Sequence, residues 1–152
     1  MRALVLFFTL TLMALGNQYT FLVNKYDKEI ELEAKIVSKI ALTSLNKEQP
    51  LLYIPQISQS EKEIYSQFFK LSTSCDDANF VFVKKSMDVT KECPKEDKIF
   101  FTNNYQKLLS DSRYFGAFFW NKSRPNIVFI KERLEYQSIK LPNEYEQFIE
   151  DF

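Results

Sequence analysis

The chain has 152 residues and a formal net charge of zero, from 20 basic and 20 acidic side chains, with no histidine and two glycines. Without a basic stripe it cannot neutralise several phosphates at once, which argues against nucleic acid as a partner. Without imidazole it lacks the usual general base near neutral pH, the Ser-His-Asp and Cys-His dyads, the common zinc sites and proximal haem ligation. Gly16 and Gly116 are too few to write a phosphate loop or a dinucleotide fingerprint. Carboxylate-pair catalysis stays formally open, but no spacing singles out a pair. The expectation is a non-enzymatic protein with no cofactor, no metal and no catalytic residues.

Arg2 precedes an apolar run from Ala3 to Leu15, and Ala14-Leu15-Gly16 is a small-x-small triplet. This is the pattern of a secretory leader over residues 1–16, too short to span a bilayer comfortably. It predicts a mature chain beginning near Asn17, exported to the periplasm, and a single domain over 17–152. Fifteen Phe and eight Tyr point to large packed surfaces and well-anchored strands.

Residues 17–26 read as extended or irregular. Ile30, Ala34, Val37, Ala41 and Leu45 then recur at helical steps, with Asp27 as a candidate N-cap. Leu51 to Ile54 has strand length and is closed by Pro55. Ser58 or Ser60 caps a second helix, whose buried face would hold Ile64, Tyr65, Phe68, Phe69 and Leu71. Asn79 to Val83 and Lys98 to Thr102 are the next strands, separated by a polar stretch over 84–97 that reads as a loop or at most one helical turn. Asn103 or Asn104 caps a short helix with Tyr105, Leu108 and Leu109. Tyr114 to Trp120 and Asn126 to Ile130 form an antiparallel hairpin about the turn 121–125. Leu134, Ile139 and Leu141 follow, and Pro142 opens a terminal helix with Tyr145, Phe148 and Ile149.

Alternating strands and helices predict a layered α/β fold. Right-handed crossovers make the first three strands parallel, and the hairpin adds an antiparallel edge to a mixed sheet. Cys75 and Cys93 each lie just ahead of a predicted strand. Adjacent parallel strands bring those starting points to one sheet edge, within reach of a disulfide. A structural staple, a redox switch and a thin metal site are three readings of that pair. In the hairpin, Phe118 and Trp120 share one face and Phe119 takes the other. At a sheet edge these aromatics beside Lys122 and Arg124 have the composition of a contact surface; covered on both faces, they are simply core. Asn121-Lys122-Ser123 is formally a glycosylation triplet, a pattern too common to weigh.

The run Gly116-Ala117-Phe118-Phe119-Trp120-Asn121-Lys122-Ser123-Arg124-Pro125-Asn126-Ile127-Val128-Phe129-Ile130 resembles the closing hairpin of small periplasmic proteins of the YfiR-like family. Cys75-Asp76-Asp77-Ala78-Asn79-Phe80-Val81-Phe82-Val83 is similar to that family's cysteine-led strand. Lys131-Glu132-Arg133 stands where the family has a Glu-Ile-Asn segment. The resemblance implies a Rossmann-like periplasmic domain that binds and regulates the sensor domain of an inner-membrane signalling protein, a diguanylate cyclase or sensor kinase. Phe118, Trp120, Lys122 and Arg124 are the candidate contact residues, and a homodimer is a further partner class. The rival reading is a small periplasmic solute-binding protein, which normally needs two lobes where this chain has residues for one.

Overall fold

The computed structural model describes residues 25–46, 49–85, 87–94 and 97–152. The expected leader and the start of the mature chain near Asn17 lie outside them. The first helix, α1 (25–45), buries Ile30, Ala34, Val37, Ile40 and Ala41, the stripe that its spacing predicts. Asp27 lies inside this helix and so is not its cap; residues 25 and 26, expected to be extended, are helical.

Strand β1 (Leu51–Tyr53) is followed by α2 (Gln59–Tyr65), where Ser58 forms a reciprocal cap with Glu61. The expected helix through Leu71 is wrong in its second half. The chain leaves the helix after Tyr65, and Lys70–Leu71 forms a short strand, β2, alongside Leu51 and Leu52. Tertiary pairing overrides a local pattern that could have continued as helix. Strands β3 (Phe80–Val83) and β4 (Ile99–Thr102) fall as expected. Among the described residues between them no helix forms. Asn104 caps α3 (Tyr105–Ser110), accepting from the Lys107 amide at 3.1 Å.

The hairpin consists of β5 (Tyr114–Asn121) and β6 (Arg124–Ile130). Its turn is tighter than expected: only Lys122 and Ser123 lie between the strands, at φ of 48° and 62°. Both central residues at positive φ make the primed kind of turn, whose twist matches the flanking strands. A short helix, α4 (Lys131–Tyr136), a 3-10 helix (Asn143–Phe148) and β7 (Ile149–Glu150) complete the chain. The sequence reading lacked α4, and it placed Ile149 in a terminal helix rather than a strand.

Among the described residues seven strands form one mixed sheet in the order β2-β1-β3-β4-β5-β6-β7, in which the β5–β6 pair alone is antiparallel. The first five follow the doubly wound order 2-1-3-4-5. The hairpin is not the sheet edge that the sequence suggested, because β7 pairs in parallel with Phe129 and Ile130 of β6. On one face, α1, Tyr65, Leu134 and Tyr145 cover Leu52, Phe80, Phe82, Phe101, Phe115 and Phe129. On the other, Leu108, Val89 and the cysteine pair cover Val81, Val83, Phe100, Tyr114, Ala117 and Val128. Cover on both faces explains why β3 is apolar at every position and fully buried.

Strand β5 carries a bulge. Tyr114 pairs with Phe100, but the next partner, Phe101, faces Gly116, so Phe115 is an extra residue. Phe115 and Gly116 therefore both turn to the first face. A Cβ on Gly116 would lie 2.6 Å from Phe129 Cδ1, 2.8 Å from the Val128 carbonyl oxygen and 2.9 Å from Phe101 Cε2. Only glycine fits beneath those two rings.

Candidate functional site

Cys75 and Cys93 are joined by a disulfide, with their Cα atoms 5.6 Å apart, and both are buried in the second face's core. The staple ties the starts of β3 and β4 at the amino end of the sheet, where the sequence placed it.

The predicted contact residues divide. Phe118 is fully enclosed, at 0% exposure, and is withdrawn as a contact residue. It anchors the hairpin's base, edge-on to Trp120 with ring centroids 5.7 Å apart. Trp120 is half-buried, whereas Lys122 and Arg124 are exposed with the rest of 121–125. The reason Phe118 cannot be offered is its cover: it belongs to the first face's core, which α1 roofs. Beyond that base the hairpin outruns its neighbours. The β4 pairing ends at Ala117, and the β7 pairing begins at Phe129. From Phe118 to Asn121 and from Arg124 to Ile127, β5 and β6 pair only with each other among the described strands. The result is a two-stranded arm at the carboxyl end of the sheet. Tyr105 of α3 braces it from the second face, its ring 5.2 Å from that of Phe119.

A second constellation was missed by the sequence reading. In doubly wound sheets, ligands settle outside the carboxyl ends of the strands, where the winding direction reverses. Here that place, between the ends of β1 and β3, is filled by side chains. The Lys84 ammonium, directly after β3, lies 2.9 Å from Glu33 Oε1 and 2.6 Å from Glu61 Oε1. Tyr65 donates its hydroxyl to Glu33 at 2.6 Å, and Asn103 donates to the other Glu33 oxygen at 3.4 Å. Lys84 also stands over the Tyr65 ring, 5.4 Å from its centroid. Glu33 is only 4% exposed, a carboxylate in the otherwise apolar stripe of α1.

The electrostatics follow from that packing. Burial works against the Lys84 charge, but the Glu33 carboxylate and the hydrogen bond to Glu61 outweigh it and hold the ammonium above its ordinary value. Burial likewise opposes the Glu61 charge, yet hydrogen bonds from Lys84 and from the Ser58 side chain and amide hold the carboxyl below its usual range. Burial first, then the Glu33 charge, pushes the Tyr65 phenol well up. Near neutral pH the cluster therefore holds an ammonium, an ionised Glu61 and a neutral phenol. Lys84 is a locked cation rather than a free amine, so it offers no nucleophile. Among the described residues, no group of His, Cys, Asp and Glu could hold a metal ion, and no helix is long and apolar enough to cross a membrane.

No family model matches this chain, and no curated protein matches it either. Among solved structures it is similar to a conserved domain protein from Vibrio cholerae, with a TM-score of 0.50 at 9% identity, over 80% of this chain and 59% of that one. The chain thus spans less than two thirds of that protein's length. At such low identity the likeness bears on the fold alone, and it agrees with the layered α/β architecture.

Proposed function

We propose that this chain is a non-enzymatic periplasmic regulator. It docks on the sensor domain of an inner-membrane signalling protein, a diguanylate cyclase or sensor kinase, through the β5–β6 arm. The observation that carries the reading is the overhang: strand pairs that outrun the strands flanking them, tipped by Lys122 and Arg124 and backed by the half-buried Trp120. The turn adds support. Lys122 and Ser123 sit in the left-handed region without glycine's freedom, and local strain of this kind, about 1–2 kcal/mol per residue, tends to collect at functional surfaces. The disulfide supports an oxidising compartment. The locked Lys84 and the missing imidazole support a binding rather than a catalytic role.

The test is a photo-crosslinking residue placed at Lys122 in living cells, with the adduct identified by mass spectrometry. The expected adduct is a transmembrane kinase or cyclase, and it should be lost in Arg124→Glu, a change at an exposed position, while the melting temperature holds. A crosslink only to a second copy of this chain, or only to soluble proteins, would overturn the reading.

A further inference from the structure

At the amino end of the sheet, on the second face, lies a cleft of about 520 Å³ walled by the start of β4, by Ser112 and Arg113 just ahead of β5, and by α4. Sites for small organic ligands fall in this size range, roughly 300–1,000 Å³. Three cations line it, Lys98, Arg113 and Arg133, with Glu132 the one carboxylate among the described lining residues. Their partners decide what charge the cleft keeps. Lys98 is only 7% exposed and donates to the carbonyls of Asp76 and Ala78, both at 2.9 Å. Arg133 donates through one Nη to the carbonyls of Leu108, Asp111 and Tyr114 at 2.6, 3.0 and 2.7 Å. Arg113 alone is held by a carboxylate, Asp111, at 2.8 Å, and its guanidinium lies over the Phe100 ring, 5.4 Å from the centroid.

Backbone carbonyls orient a cation without cancelling it. Two of the three cations are held that way, so the cleft keeps a surplus of positive charge even after Asp111 and Glu132 are counted. Oriented cations that no carboxylate cancels are the ordinary means of taking up an anion; of these two, Lys98 is buried and Arg133 half-buried. The lip is aromatic: Tyr136 lines the cleft while 86% exposed, a large ring with little packing of its own. A ring free on the rim beside fixed cations suits a ligand with a flat apolar body and an acidic head.

We propose that this cleft binds a small organic anion, an aromatic or similarly flat carboxylate or phosphate ester. Its acid group faces Lys98, Arg113 and Arg133, and its apolar part lies against Tyr136. This goes beyond partner docking and is independent of it, because the arm lies at the opposite end of the sheet.

Calorimetric titration of the full chain at low salt tests it, with phenyl phosphate and benzoate as probes and benzyl alcohol as the neutral control. Saturable binding of either acid, without binding of the alcohol, is expected, and the stronger of the two names the acid group. Glu132→Gln should tighten that binding several-fold, because it removes the opposing charge from an exposed position. Arg113→Gln should weaken it about ten-fold, and Tyr136→Ala should weaken it while the fold is intact by circular dichroism. No saturable binding of either acid at about 1 mM, equal binding of benzyl alcohol, or affinity unmoved by both Glu132→Gln and Arg113→Gln would overturn it.

Discussion

Both ends of the parallel strands enclose a lysine, and opposite chemistry holds the two. At the carboxyl end, Lys84 sits between the Glu33 and Glu61 carboxylates, which cancel its charge and close the place where this architecture usually receives a ligand. At the amino end, Lys98 donates to the carbonyls of Asp76 and Ala78, which orient its charge and leave it in force beside a cleft. Burial of a cation therefore does not mark a binding site by itself; the identity of its counter-group does.

The sharpest way to break that contrast is to remove each ammonium. Lys84→Met leaves two enclosed carboxylates facing each other and should cost about 3–5 kcal/mol, read by urea denaturation. Lys98→Met deprives two carbonyls of a donor and should cost about 1–3 kcal/mol. Equal losses would mean that the two lysines are held alike. The amino end has a second support in the disulfide, whose cysteines are 18 residues apart in sequence. Replacing both by serine should cost about 3 kcal/mol on chain entropy, lowering the melting temperature by roughly 10 °C; an unchanged melting temperature would remove the staple from the account.

Acid should loosen the carboxyl end. The Glu61 carboxyl is held below its usual range in the fold, so its contribution is present above the unfolded value of about 4.3 and is lost as pH falls through the folded one. Glu61→Gln should therefore be less stable than the parent at pH 7, by about 1–2 kcal/mol. The gap should close on acidification below about pH 4. A gap that stays constant from pH 7 to about 3 would show that the carboxylate's charge is not what secures Lys84.

Those parts of the fold with a local period were readable. The α1 stripe, the fully apolar β3, the Ser58 and Asn104 caps and the cysteine pair at one sheet edge each follow from residues near in sequence. What escaped is set by distant pairing or by very short elements. Strands β2 and β7 have two residues each, too few for any alternation to register. Helix α4 offers one buried residue, Leu134, and no side-chain cap. Ile64, Phe68 and Leu71 step like one helix face, yet the last belongs to β2 because β1 recruits it. The carboxyl-end cluster left one visible sign. Glu33 falls three residues after Ile30 and four before Val37, on the stripe that must be buried, and an acid there needs a partner. The sequence could not say that the partner would be Lys84, because only the crossing of α1 over the end of β3 brings them together.

The extra residue in β5 has a consequence for the arm. Counting strictly by twos from Tyr114 would put Trp120 on the same side as α3; the step at Phe115 and Gly116 reverses that parity, so Trp120 joins the side of α1 while Phe119 meets Tyr105. Which indole or phenyl edge the projecting ribbon shows to its surroundings is thus decided several residues upstream, beneath the rings of Phe101 and Phe129. An alteration deep in the interior at that step could invert the ribbon's two sides while leaving every residue of its tip unchanged.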